Sequence, residues 1–286
     1  MAYLLYEWNL FMSALTSFFR KTQVLSFDLE TTGVVVGKDR VVEIGLVYFE
    51  EGKKKQVFAT RVNPKCPIPP VSTSIHGIRD ADVEKKPTFE EIAPRLIEHL
   101  TGAILGGEKP FLLGYNACTF DAPLLNNEFQ RIGSSFRINP AEVLDPIVFV
   151  RWYLRTLKKH SLGAVCDHFN ITLENAHSAL GDACAAGELF FKLVANGHVP
   201  HDPKEALQQQ ARFYELVQEE RSQFSYWLYR DRQTEVMKIG AGKFQGSTLE
   251  ELSIDYLQKL VGNISDLPPK VKEIFRQQLE KKLSLV

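Results

Sequence analysis

The sequence predicts an α/β fold: a sheet of mixed direction flanked by helices, followed by a small α+β module. Three observations predict it. Apolar strand-like runs joined by short turns come first, strands then alternate with amphipathic helices, and a boundary near 198–203 opens a polar helix before a second, shorter strand–helix set. The 286 residues suffice for one large domain with a real core and a smaller companion.

The elements follow in order. Runs at 24–29, 41–49 and 56–62 read as an antiparallel meander, with Arg40, Glu43 and Glu50 flanking or punctuating the second. "PKCPIPP" then breaks regular structure. Thr88 and Glu91 form a capping box for a helix over 88–100, whose apolar stripe is Phe89, Ile92, Leu96 and Ile97. "FLLGY" (111–115) is a short buried strand running into a helix over 121–131. A strand at 142–145, a helix through Trp152, and helices at 161–169 and 178–196 complete the larger domain, 22–199. Asp202-Pro203-Lys204-Glu205 has the chemistry of a helix start, and Leu207, Ala211, Tyr214 and Val217 give that helix a narrow apolar face, so 200–230 reads as a linking helix. The module, 231–286, has a strand at 234–239, the turn "GAGKFQG", a helix near 249–261 and a last helix after Pro268-Pro269. The glycine spacing in that turn is not that of a phosphate-cradling loop, and a tight turn explains it. At the other end, residues 1–21 are apolar and aromatic but interrupted by Glu7 and Asn9, with no basic region before them. A helical extension packed on the core fits better than a spanning helix or secretory signal, with a membrane-surface or partner contact as the alternative.

The formal net charge of −1 advertises no general attraction to nucleic acid, so an enzyme acting on it would need local basic patches and bound cations. The four cysteines form no CxxC pair, which favours free thiols in a reducing, cytoplasmic setting over a structural zinc site.

The informative feature is acid where the pattern wants apolar residues. In "FDLETTG" (27–33), Asp28 and Glu30 lie two apart on a strand and point to one face. Asp121 opens a helix whose same side carries Leu125 and Ile132, and Asp182 shares a helical face with Ala186, Leu189 and Leu193. A lone acid of this kind is usually a cap or a satisfied hydrogen-bond partner. Four on separate elements would need several buried basic partners, and the flanking segments offer few lysines or arginines on matching faces. Divalent cations solve the problem, since Mg²⁺ takes oxygen ligands and four carboxylates carry about the charge that two such ions neutralise. His177, five residues before Asp182, falls on the loop ahead of that helix, where it is either a general base or a structural hydrogen-bond partner.

Three segments, "FDLETTG" (27–33), "YNACTFD" (115–121) and "HSALGDA" (177–183), resemble in order the three motifs of the DEDDh 3′–5′ exonucleases, which include the proofreading subunit of bacterial replicative polymerases. "DRVVEIG" (39–45), "SIHGIRDADVEKKPTFEEI" (74–92) and "VLDPIVFVR" (143–151) are similar to the family's intervening segments, so the resemblance covers roughly 22–197. It implies a ribonuclease-H-like fold with a five-stranded mixed sheet flanked by helices. It implies that Asp28, Glu30, Asp121 and Asp182 are metal ligands, that His177 is the general base, and that Thr31, His76 and Asn116 contact substrate. The cofactors would be two divalent cations, Mg²⁺ with Mn²⁺ as substitute. Tyr115-Asn116 stands where many members have His-Asn, a departure that touches substrate contact rather than metal binding.

The expected activity is two-metal hydrolysis at the 3′ end of single-stranded or frayed DNA, releasing nucleoside 5′-monophosphates in replication or repair. The alternatives are an RNA-trimming enzyme of the same superfamily and a non-catalytic nucleic-acid-binding or polymerase-tethering module. Lys158, Lys159 and His160 are candidates for phosphate contact, against the simpler reading of a solvated charged face. Residues 237–260 resemble a small bacterial domain of poorly known role, sometimes found after such exonucleases. The final "KLSLV" (282–286) resembles the pentapeptide that binds the sliding clamp, with Lys282 and Val286 in place of its usual Gln and Phe; the frayed end of the last helix is the alternative.

Overall fold

A computed structural model of the chain describes residues 23–105, 109–231, 234–263 and 267–284. The helical extension expected over 1–21 and the last two residues of the clamp-like pentapeptide lie outside the described residues. The chain divides into two compact units. One runs to Val150 and takes in Lys159–Ala211, and the other combines Arg151–Lys158 with the chain from Arg212 onward.

The first unit carries the expected five-stranded mixed sheet: β1 (Gln23–Thr31), β2 (Val41–Glu50), β3 (Lys53–Arg61), β4 (Phe111–Leu113) and β5 (Val143–Leu144), in the order β3-β2-β1-β4-β5. β1, β2 and β3 are antiparallel neighbours, whereas β4 runs parallel to both β1 and β5. The helices are α1 (Pro70–His76), α2 (Asp80–Val83), α3 (Phe89–Thr101), α4 (Asp121–Arg131), α5 (Pro146–Tyr153), α6 (Leu162–Phe169), α7 (Ala179–Ala195) and α8 (Pro203–Phe224), the fifth and eighth of which continue into the second unit. The capping box at Thr88 and Glu91 forms as the sequence reading expects. Two short helices, α1 and α2, occupy a stretch for which the sequence predicts no regular structure. α1 begins at a proline that supplies its first-turn geometry and ends at Gly77, and it is too short to show a 3.6-residue apolar period.

Alternation along β1 sorts its side chains. Leu25, Phe27 and Leu29 enter a core with Leu96 and Leu100 of α3 and Leu124, Leu125 and Phe129 of α4. The opposite face carries Ser26, Asp28 and Glu30. α7 packs against that face, and the Ser26 hydroxyl, fully buried, donates to the Ala183 carbonyl at 2.6 Å. β1 pairs with β4 only over Val24–Ser26, so its second half runs on past its parallel neighbour. The site forms along that extension, at the carboxyl ends of the parallel strands.

The second unit is a small α+β module: the antiparallel pair β6 (Leu228–Arg230) and β7 (Met237–Ile239), with α9 (Ile254–Asn263) and α10 (Pro269–Leu283). Its core is Leu228, Ile239, Leu252, Leu257, Leu260, Leu267, Val271 and Phe275. The helix expected over 200–230 stops at Phe224, and Leu228–Arg230 is a strand. Within this unit Trp152 stacks on Phe213 with centroids 4.1 Å apart and Arg155 pairs with Glu220 at 2.5 Å, which is why residues 151–158 belong to it.

Candidate active site

β1 supplies the first two acids. Asp28 is half-buried and Glu30 is 9 % exposed, and the register between β1 and β2 shifts directly after Glu30: Glu30 faces Glu43 whereas Thr31 pairs with Val41, so Val42 is the extra residue of a bulge. Asp182 comes from the first turn of α7, where the Ser178 hydroxyl caps the helix by accepting from the Gly181 amide at 3.2 Å. One carboxylate oxygen from each of Asp28, Glu30 and Asp182 lies within 4.8 Å of the others. Asp121, 3 % exposed, is the first residue of α4 and reaches the open edge of β1, where the Leu29 amide donates to it. Gly114 makes this approach possible: a Cβ there would fall 2.6 Å from that of Ala117 and 2.8 Å from the Phe27 carbonyl.

The electrostatics are those of an uncompensated cluster. Asp28 is held well above the usual carboxylate range, first by burial and then by Asp121, Asp182, Glu30 and Glu43. Burial and then Asp182, Glu43 and Asp121 push Glu30 up to about 8. Asp121 is pushed up to about 8 by burial and Asp145. Asp182 is raised by burial, with His177 acting against the rise. Among the described residues no lysine or arginine ion pair reaches any of these four acids. The donor set therefore fits an oxygen-seeking divalent cation, with three convergent carboxylates from Asp28, Glu30 and Asp182, and Asp121 lies close enough to raise Asp28.

The remaining sequence-derived residues fall around this cluster. His177 is exposed on the loop before α7 with φ of 63°, a left-handed conformation uncommon outside glycine. The Thr31 hydroxyl donates to the Gly33 carbonyl at 2.6 Å. The Ile78 amide donates to Nδ1 of His76 at 3.0 Å, which assigns the proton to Nε2, and Nε2 lies 3.2 Å from the Thr31 carbonyl it then donates to. Burial lowers the His76 pKa, in keeping with a neutral ring. Asn116, at φ of 64°, accepts the Thr119 hydroxyl at its side-chain oxygen, 3.0 Å away. The His160 carbonyl accepts from the Tyr115 hydroxyl at 2.6 Å, and Lys158 belongs to the second unit.

Two acids escaped the sequence reading. Glu43, directly across from Glu30 on β2, accepts the Ala179 amide at 3.0 Å and pairs with Arg61 at 3.5 Å. Asp145, 1 % exposed at the end of β5, accepts the amides of Asn116 at 2.8 Å, Ile147 at 3.2 Å and Cys118 at 3.3 Å, and so shapes the turn that leads to Asp121. Both were visible as acids inside apolar runs, "VVEIG" and "VLDPIVFV", the same signal that singled out the other four.

Comparison with known proteins agrees with this geometry. The RNase_T family model, described as "Exonuclease", matches residues 25–190. A DNA polymerase III PolC-type protein of Clostridium perfringens is 33 % identical over 181 residues, 62 % of this chain and 12 % of that protein. A DNA polymerase III subunit epsilon-like protein of Rhodobacter capsulatus is 36 % identical over 179 residues, 61 % of this chain and 24 % of that protein. The matches thus span a small part of the relatives' length. Among solved structures, a zinc-bound complex of E. coli exonuclease I with single-stranded DNA superimposes with a TM-score of 0.54 at 18 % identity, covering 93 % of this chain and 70 % of that one. The nuclease domain of 3′hExo, a DEDDh family member bound to rAMP, gives 0.50 at 17 % identity, covering 62 % and 94 %. Those two likenesses concern the fold. The ordered motifs, the ribonuclease-H-like sheet and the family match agree: this chain belongs to the exonuclease family.

Proposed function

We propose that the chain is a two-metal 3′–5′ exonuclease acting on single-stranded or frayed DNA ends, releasing nucleoside 5′-monophosphates in replication or repair. The observation that carries the reading is the convergence of three carboxylates that, among the described residues, have no lysine or arginine ion pair. Asp28, Glu30 and Asp182 would hold one cation, and Asp28 with Asp121 would hold the other. When bound, Mg²⁺, or Mn²⁺ in its place, neutralises the acids, lowers the pKa of water and stabilises the departing 3′ oxygen.

The chain's own groups do the rest. His177, on its exposed loop beside Asp182, takes the proton of the attacking water. The Thr31 hydroxyl, having spent its proton on Gly33, meets substrate only as an acceptor, the partner a terminal 3′-hydroxyl needs. Both ring nitrogens of His76 are engaged, so it meets a terminal base through its ring face. Val71 and Ile75 on the same helix are 67 % and 56 % exposed and offer apolar surface for that base. Asn116 has its oxygen bonded to Thr119, which leaves its amide hydrogens for a phosphate. Similarity to proteins named DNA polymerase III supports the replication or repair role and a polymerase contact. Among the described residues no helix is long and apolar enough to cross a membrane.

The test is degradation of 5′-labelled single-stranded DNA, mismatched duplex and RNA, with Mg²⁺, Mn²⁺ or chelator. Metal-dependent shortening of DNA from the 3′ end is expected. RNA cut much faster than DNA would replace the substrate with RNA, and no metal-dependent cleavage of anything would leave a binding module.

A further inference from the structure

Four hydrogen-bonding and steric features around the first turn of α7 share one arrangement. Glu43 of β2 accepts the Ala179 amide at 3.0 Å. One helical turn on, the Ala183 carbonyl accepts the buried Ser26 hydroxyl of β1 at 2.6 Å. Gly45, on the same face of β2 as Glu43, admits the helix backbone: a Cβ there would fall 2.3 Å from the Ala179 carbonyl group and 2.4 Å from the Leu180 amide. Arg61 of β3 lies 3.5 Å from the other oxygen of Glu43 and 3.7 Å from Asp82, so the Glu43 carboxylate is held from behind. Asp182 falls between the two helix anchors. Asp28 falls between Ser26 and Glu30 on β1, and Glu43 is the direct cross-strand neighbour of Glu30.

We propose that Glu43 is a positioning residue: with Ser26, it fixes the register of α7 on the sheet and thereby the separation of Asp182 from Asp28 and Glu30. This rests on the metal-binding reading of those three acids. A helix terminus has unpaired amides that a side chain can claim, and here the claimant belongs to the strand opposite the site rather than to the helix itself. The Ser178 hydroxyl already caps Gly181, so Glu43 is not the ordinary cap; it is a tie between layers. The amide of Ala179 needs an acceptor and not a charge, which separates this role from metal ligation.

Three variants of the full-length chain test it: Glu43→Ala, Glu43→Gln and Ser26→Ala. Mn²⁺ binding is read by titration calorimetry, exchange of the Ala179 amide by mass spectrometry, folding by thermal melting, and hydrolysis as kcat and KM separately. In Glu43→Ala, Mn²⁺ affinity is expected to fall about tenfold or more, the scale at which supporting partners of metal ligands act, with faster exchange at Ala179. kcat is expected to fall by a similar factor while KM for the oligonucleotide stays within about threefold. Glu43→Gln keeps an acceptor oxygen and is expected to recover most of both. Ser26→Ala removes the other anchor and is expected to weaken Mn²⁺ binding in the same direction, so the idea remains testable if Glu43→Ala does not fold. A folded Glu43→Ala with unchanged Mn²⁺ affinity, or a Glu43→Gln as poor as the alanine variant, would overturn it. Cation binding and amide exchange need no turnover. Loss of the exonuclease reading would show instead as a wild-type protein that binds Mn²⁺ without cleaving any substrate.

Discussion

Glu128 and the Asp28, Glu30 and Asp182 cluster are two sets of acids in the first unit, and they are kept in opposite ways. Glu128 on α4 is 1 % exposed and sits between Arg40 at 2.7 Å and Arg131 at 3.1 Å, with the Val41 amide 3.3 Å from the same oxygen. Arg131 also donates to the carbonyls of Gly37 and Asp39, so this acid ties the β1–β2 loop to a helix. Asp28, Glu30 and Asp182 converge with no cationic side chain among them and are raised by burial and mutual repulsion. A buried charge is tolerated when it is paired and hydrogen-bonded. Glu128 has that partner built into the chain, and the other cluster has been left to find one from solution. The contrast separates an acid compensated within the chain from acids that, among the described residues, are not.

The sharpest way to break the comparison is Asp182→Asn. It is expected to cost ~10³-fold or more in turnover while leaving the melting temperature in chelator unchanged or raised, because it removes repulsion rather than a partner. Wild-type rates would remove Asp182 from the site. Next comes Glu128→Ala, which strands two arginines beside a cavity. A loss of about 3–5 kcal/mol is expected in denaturant unfolding, the scale for breaking a buried pair, and Mg²⁺ should not restore it at saturation beyond the gain seen in wild type.

A third expectation concerns pH. Folded Glu30 keeps its proton up to about pH 8, whereas the unfolded chain releases it near 4.5. The folded form therefore binds more protons between those values, and metal-free stability falls as pH rises through the window. Asp121, also pushed to about 8, acts in the same direction. Melting in chelator should drop from about pH 5 to about pH 8, and Mg²⁺ should raise the melting temperature most at the upper end. A chelated protein whose stability is flat across that range would contradict the uncompensated cluster. The smallest effect is reserved for an exposed acid. Glu91 has its pKa lowered by hydrogen bonds from the Thr88 amide and then its hydroxyl, so its contribution is present above the ordinary glutamate range and lost as pH falls. Glu91→Gln should shift melting by little at neutral pH and leave the Mg²⁺ response intact, with a sign of pH dependence opposite to that of Glu30.

The acids of the site were legible because strand and helix periods make a misplaced charge visible without any partner in view. Asp28 and Glu30 interrupt a run that alternation assigns to a buried strand, and Asp182 interrupts a stripe completed by Ala186, Leu189 and Leu193, all buried in the fold. Glu43 was read as punctuation of β2 although it too interrupts an apolar run, because its partner, the Ala179 amide, lies far away in sequence. α1 and α2 were missed because one or two turns carry too little periodicity to register.

By itself, then, the order of apolar runs determined the mixed sheet, and the four misplaced acids marked where the chain departs from its own apolar pattern. Only the tertiary structure decided which acids meet, since that depends on β1 outrunning β4 and on Gly45 letting α7 approach the sheet. It also decided that Glu128 is satisfied and the cluster is not. Charge compensation is a property of neighbours in space: Arg131 reaches Glu128 one turn along α4, but Arg40 does so only when the β1–β2 loop folds against that helix.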